Sequence, residues 1–345
     1  MTATATRSRG KGRRNRPVAH AVEAAIAYGL FYLIRLVPLD AASAAGGRLL
    51  RAVGPRLGAH KQARRRLARA MPDLAPAEQE RILRGVWENL GRVVVEYAQM
   101  DRLNRRLQDD WRTGGDRLVV EGAEHVLEFR RAGRPVILAT GHCGNWEVAP
   151  IAAPLYGERL AAMYRPPNNP HIDRLILKAR ASLGTRLIAK RMGGPGSKQA
   201  LSALREDGLL GLFLDQHFTG GIETTFFGLP AMTSPVAARF AEHTDAVVVP
   251  ARVIRTGGVR FRLVMEPPLA IPRTGDRDAD AAAFTQALTD RVEAWVREYP
   301  DQWLWLHNRW KDRRWKDRRR ARSIDAGTAD RDATTDGAEA DRAAG

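Results

Sequence analysis

A histidine and a glutamate stand five positions apart in the run Gly141-His142-Cys143-Gly144-Asn145-Trp146-Glu147. Imidazole exchanges protons near neutral pH. A carboxylate bonded to one ring nitrogen fixes the tautomer and leaves the other nitrogen free to take a proton. The pair therefore suits general-base activation of a hydroxyl, with His142 as base and Glu147 as its partner. A histidine at a strand end can also be merely satisfied by its neighbours, but two glycines and a carboxylate in one turn favour chemistry. No serine occupies the loop, which disfavours a nucleophile elbow. Cys143 offers a rival, a thiol nucleophile beside a histidine, yet adjacent residues on extended backbone point to opposite sides. The other histidines, at 20, 60, 125, 171, 217, 243 and 307, show no ligand spacing with His142, so no metal is expected.

The elements that must position this run are legible on both sides of it. Pro135–Thr140 is an apolar stretch that predicts a buried strand, which puts His142 in a turn at its carboxyl end. Asn145 is a candidate cap for the next helix, with Glu147 in the first turn, where the helix dipole favours a carboxylate. Further short β-rich runs begin at Leu118, Ala161, Arg186, Leu209, Ala246 and Phe261, and helical patterns separate most of them. That alternation predicts an α/β fold, a mixed and mainly parallel central sheet flanked by helices, with chemistry collected at the strand ends. Residues 60–110 read as helices ahead of it.

The 345 residues carry 56 Lys+Arg against 39 Asp+Glu, a net charge of +17. Such a surface favours acidic partners: nucleic acid, an anionic membrane, a phosphorylated substrate or an acidic protein. One cysteine excludes an internal disulfide framework and any cysteine-rich metal site. Basic clusters lie at 1–16, at Lys61–Arg69 and at Lys311–Arg322, the last containing a tandem WKDRR. Residues 1–16 are expected to be a basic disordered terminus, and residues 313–345, acidic beyond 322, a disordered tail. The basic runs flank the globular part and carry no nucleic-acid signature, so a basic nucleic-acid-binding protein is the weaker class and no nucleic acid is expected as a partner.

Residues 17–40 hold an uninterrupted apolar run, Ala24–Ile34, of 11 residues. A straight span wants roughly 20. Arg35 interrupts the segment ahead of the alanine-rich stretch that would serve as a cleavage site, which counts against a signal peptide. A core helix is the plain alternative. We expect a membrane-anchor helix, interfacial or short and spanning, with the arginines on the cytoplasmic side.

The ordered set GHCGNWE, Tyr164-Arg-Pro-Pro-Asn-Asn-Pro170, Arg180, Asp215-Gln216, Phe226-Phe-Gly-Leu-Pro-Ala231 and Trp305-Leu-His-Asn-Arg-Trp-Lys311 resembles the bacterial lipid A biosynthesis acyltransferases, the late lauroyl and myristoyl enzymes of the lysophospholipid acyltransferase superfamily. The resemblance covers roughly 20–312 and implies a glycerolipid acyltransferase-like domain over 41–312, helical to about 112 and α/β after. It implies transfer of an acyl chain from acyl carrier protein, or coenzyme A, to a hydroxyl of a lipid A precursor, without metal or prosthetic group. A phosphatidylinositol mannoside is the alternative acceptor. The same resemblance makes His142 and Glu147 catalytic, and Arg165, Arg180, Asp215, Gln216 and Arg309 substrate-binding candidates, with Asp215 ordering Arg180. Phe226, Phe227 and Pro230 would line the acyl tunnel or simply pack, and Trp305 and Trp310 would close the pocket. The expected partners are acyl carrier protein, an anionic glycolipid and the membrane surface, and the expected place is the cytoplasmic face of the inner membrane.

Overall fold

The structure, a computed structural model, describes residues 16–189 and 195–310. Five helices come first: α1 (Arg16–Ile34), α2 (Leu39–Val53), α3 (Gly58–Ala70), α4 (Pro76–Ala98) and α5 (Met100–Arg112). Strands and helices then alternate: β1 (Leu118–Glu121), α6 (Glu124–Arg131), β2 (Val136–Thr140), α7 (Val148–Ala152), β3 (Ala161–Tyr164), α8 (Pro170–Arg180), β4 (Arg186–Ala189), α9 (Pro195–Glu206) and β5 (Leu209–Phe213). The chain continues through β6 (Ile222–Phe226), β7 (Leu229–Thr233), α10 (Val236–Thr244), β8 (Val247–Arg255), β9 (Phe261–Met265) and α11 (Arg277–Glu298). The basic and acidic stretches beyond 310 and residues before 16 lie outside the described residues.

Among the described residues seven strands form one sheet in the order β1-β9-β8-β2-β5-β3-β4. Every neighbour pair is parallel except β8 with β9. A sheet of this kind is covered on both faces, so its central strands are apolar throughout. β2 shows how the faces divide. Val136 and Leu138 point into one core with Val148, Ile151 and Leu263, whereas Ile137 and Ala139 point into another with Leu204, Phe240 and Phe284. A third cluster joins α3, α4 and α11 to Cys143, Phe226, Trp303, Trp305 and Trp310.

The sequence reading missed β6 and β7, which pair as an antiparallel hairpin. Their turn residues, Phe227 and Gly228, both have positive φ, 55° and 67°. Hairpin turns of this kind favour Asn-Gly or Gly-Gly, so a phenylalanine there gives no turn signal, and Pro230 argues against a strand. Phe227 holds the position because its ring is buried and its N–H bonds to Glu293.

No helix among the described residues is long and apolar enough to cross a membrane. α1 instead lies on α8. Phe31 packs with Ala98, Leu175 and Ala179, and the Asn169 amide donates to the His20 carbonyl at 2.8 Å. Its far end is fastened by Arg35, bonded to Asp101 at 2.6 and 2.9 Å. Val18, Val22, Ile26, Leu30 and Leu33 remain exposed along the opposite side.

Candidate active site

Strand register builds the centre. Thr140 and Phe213 are paired neighbours on β2 and β5, so the residues two positions beyond each, His142 and Asp215, emerge side by side at the carboxyl edge of the sheet. The His142 backbone N–H donates to Asp215 Oδ2 at 2.8 Å, and ring Nδ1 lies 2.8 Å from Oδ1. The indole N–H of Trp303 gives the carboxylate a third bond, to Oδ2 at 2.9 Å. Burial by itself would raise the Asp215 pKa. The adjacent His142 and these hydrogen bonds outweigh it and hold the carboxyl down to about 2. With Asp215 ionised, Nδ1 carries the proton and Nε2 is the free base. The ring is held by Phe213, stacked at 4.3 Å, and by the edge of Trp146 at 5.1 Å. The amide nitrogen of the exposed Gln216 lies 3.4 Å from Nε2.

Glu147 does not orient His142, which corrects the sequence reading. Its carboxylate, 2% exposed, takes a two-point bond from the Arg180 guanidinium, with Nε at 3.0 Å. The partners are exchanged: Asp215 serves His142, and Glu147 serves Arg180. Sequence proximity suggested the first pairing, but the start of α7 carries Glu147 toward the end of α8, whereas parallel pairing brings residue 215 alongside residue 142. Arg180 also lies over the Tyr97 ring, 5.5 Å from its centroid. Burial pushes the Tyr97 hydroxyl up, and the nearby Glu147 charge adds to that.

The loop is clamped from below by polar groups that drew no attention in the sequence. Gly144 has φ +56°, and a Cβ there would sit 2.5 Å from the Val253 carbonyl oxygen, so glycine is required. Asn89 donates to the Gly144 carbonyl at 2.9 Å, and Gly144 N–H donates to the Gln302 carbonyl at 3.1 Å. Asn145 is not the expected cap: α7 starts at Val148 with Glu147 in the cap position and no side-chain cap bond. Asn145 instead orders the turn before it, accepting from Glu147 N–H at 3.1 Å while its amide donates to the fully buried Glu96 at 2.7 Å. Glu96 also accepts from Ser43 at 2.6 Å and from Arg255 at 2.7 and 2.8 Å. The available signals were a glutamate on the buried stripe of α4 and an arginine closing an apolar strand; neither names its partner.

The remaining candidates separate. Arg165 is exposed just past the carboxyl end of β3, on the same sheet edge as His142. Arg309 is not placed to meet a substrate. It is 1% exposed, donates to the Met232 carbonyl at 2.9 Å and to Thr233, and lies over Phe226. Burial lowers its pKa to about 10. Phe226, Phe227, Trp305 and Trp310 pack together with Trp303 as core, not as a tunnel or gate. Cys143 is buried in that cluster, bridged to Trp303, and burial pushes its thiol well up.

Beside the dyad lies a narrow apolar cavity. Its walls include Trp146, Glu147, Arg180, Phe213, Met163 and Leu187.

The model of the bacterial lipid A biosynthesis acyltransferase family matches residues 13–312. The chain belongs to that family. It is thus an acyltransferase. A phosphatidylinositol mannoside acyltransferase of Mycobacterium tuberculosis is 28% identical over 260 residues, 74% of this chain and 78% of its own. One of that name from Mycolicibacterium smegmatis is 28% identical over 295 residues, 79% of this chain and 91% of its own. The lipid A biosynthesis myristoyltransferase of Escherichia coli is 26% identical over 264 residues, 73% and 75% of the two chains.

Proposed function

We propose that this acyltransferase moves a fatty acyl chain from a carrier thioester, on acyl carrier protein or coenzyme A, to a hydroxyl of a lipid A precursor at the membrane surface. The observation that carries the reading is the His142–Asp215 pair, which engages Nδ1 and leaves Nε2 toward the exposed Gln216, with Trp146 and Phe213, the rings beside His142, walling an apolar cavity. In this mechanism Nε2 takes the proton from the acceptor hydroxyl as its oxygen attacks the thioester carbonyl. The tetrahedral intermediate collapses, the C–S bond breaks, and the imidazolium returns the proton to the departing sulfur. Asp215 stabilises the imidazolium while it lasts. Gln216 is placed to hydrogen-bond the acceptor or the developing oxyanion. The reaction balances with no metal, prosthetic group or covalent enzyme intermediate. Glu147 and Arg180 neutralise each other in the cavity wall, so Arg180 is a wall residue in this mechanism and the exposed Arg165 the better phosphate ligand.

The exposed apolar side of α1 suits an interfacial helix at the cytoplasmic face of the inner membrane. Lys61, Arg64, Arg65 and Arg69 are exposed on α3 and suit an anionic lipid surface or acidic carrier. The mycobacterial relatives favour a second acceptor, a phosphatidylinositol mannoside, because one of them is matched over 91% of its length.

Mass spectrometry of the purified enzyme incubated with acyl thioesters and each glycolipid in micelles tests the reading. The expected product is one lipid heavier by one acyl group and dependent on His142. Thioester cleavage to free acid with no acylated lipid, whichever acceptor is supplied, would refute it.

A further inference from the structure

The segment that follows α11 runs alongside the turn that carries His142. Gly144 N–H donates to the Gln302 carbonyl at 3.1 Å, and Trp303 is bridged to Cys143 in antiparallel fashion. The segment is itself held from two sides. The Gln302 side chain accepts from the Arg255 backbone N–H at 2.8 Å and donates to the Arg255 carbonyl at 3.0 Å, which ties it to the end of β8. Arg66 of α3 donates to the carbonyls of Trp305 and Leu306 at 3.1 and 2.7 Å.

Trp303 is buried, with Trp305 edge-on to its ring at 4.8 Å and Phe226 at 5.7 Å. An indole N–H packed among rings needs a polar partner. This one reaches Asp215 Oδ2 at 2.9 Å, across 88 residues of sequence. That bond differs in origin from the two that His142 makes. Both of those move with the turn, so by themselves they leave carboxylate and imidazole free to shift together. Trp303 fastens Oδ2 to a segment held by α3 and β8. With Oδ2 so held the carboxylate cannot rotate without breaking the bond, and Oδ1 stays aimed at Nδ1.

Resting on the acyl-transfer mechanism above, we infer that Trp303 is a positioning residue for the reaction, acting through Asp215 to keep the His142 ring in one orientation and one tautomer. It touches no reacting atom. Trp305, in the same cluster, gives its N–H to the Pro300 carbonyl at 2.7 Å and has no such role. A small displacement of a catalytic group is costly: a misplacement of about 1 Å can lower a rate by about 10²-fold.

Trp303→Phe removes the donor and keeps a ring. Benzothienylalanine at the same position keeps the indole outline with sulfur in place of the N–H, which covers the case in which the phenylalanine variant melts early. Trp305→Phe is the control for lost packing. Two readouts are taken on each full chain: steady-state transfer from palmitoyl-coenzyme A to glycolipid in micelles, and the rate at which diethyl pyrocarbonate modifies His142, located by peptide mass spectrometry. Both Trp303 replacements should lower kcat by about 10-fold to 10²-fold, leave KM within a few-fold, and slow modification of His142. Trp305→Phe should lower Tm and move neither readout. In an Asp215→Asn background the Trp303 replacements should cost nothing further in kcat, because the residue acts through that carboxylate. Native kcat and a native modification rate in a folded Trp303 variant would overturn the assignment. So would losses that multiply in the double variant, or a Trp305→Phe variant equally slow. Modification of His142 that slows without the indole N–H, in a protein that transfers no acyl group, would leave the positioning role standing and refute the transfer mechanism instead.

Discussion

Asp215 accepts two hydrogen bonds from one residue, His142: the backbone N–H at Oδ2 and the ring Nδ1 at Oδ1, each at 2.8 Å. The fork fixes the backbone of the turn and the rotation of the ring together. Asp215→Asn cannot accept at both positions. Its amide N–H must face one donor, and a ring flipped to the other tautomer would carry its proton on Nε2. We predict a loss in kcat on the order of 10²–10⁴, comparable with His142→Ala, and little change in KM. A kcat within a few-fold of the native value in steady-state assays would remove Asp215 from the mechanism.

The Glu147–Arg180 pair makes a different prediction, because its two members are largely buried, with side chains 3% and 16% exposed. Removing one leaves the other as an uncompensated charge, at a cost of about 3–5 kcal/mol. Glu147→Gln should lower Tm markedly. Glu147→Gln combined with Arg180→Met should recover much of the loss, since no lone charge remains. Thermal melts of the two single variants and the double decide this; additive losses would mean that the pair is not coupled.

Cys143 is expected to be inert. Its side chain is buried and burial pushes the thiol up, so it stays protonated at neutral pH. Iodoacetamide should label the native protein slowly and the denatured protein fully, and Cys143→Ala should retain substantial transfer. Rapid native labelling accompanied by loss of activity would restore the thiol to consideration.

The docking of α1 carries a pH signature. Arg35 holds the Asp101 carboxyl down to about 2, below its unfolded value of about 3.9. A depressed folded pKa contributes stability that is present above the unfolded value and lost as pH falls from about 4 to about 2. Arg35→Gln should therefore lower Tm at pH 7 and bring the native and variant Tm values together toward pH 2. Because α1 also covers Leu175 and Ala179 on α8, the helix that ends in Arg180, deletion of residues 1–37 should lower both Tm and activity in detergent. A deletion variant with native Tm and native activity would show α1 to be a separable anchor.

Much of the fold was legible because period and punctuation are local properties. The strand before His142, the helical N-terminal third and the α/β alternation after residue 117 follow from apolar spacing and from where glycine and proline fall. The hairpin at 222–233 did not follow. Its turn places a phenylalanine at positive φ, which tertiary burial alone maintains. The motif residues were legible by type, since His142, Glu147, Arg180, Asp215 and Gln216 all meet around one strand edge or one cavity.

Their pairing was not legible. A sequence states that a carboxylate stands five residues from a histidine, but not which way the turn ahead of α7 aims it, nor that β5 lies next to β2. Those follow from packing between segments 73 and 33 residues apart, and they give His142 to Asp215 and Arg180 to Glu147. The same holds for Arg309 and the tryptophans near the end of the described chain. Their types suggested lipid contact, yet the hairpin and α3 fold over them and bury them. Local sequence determined which groups exist and which edge of the sheet they reach. Tertiary structure alone decided which charges neutralise each other, because charge pairing in a buried site is set by through-space distance, and strand order does not appear in the sequence.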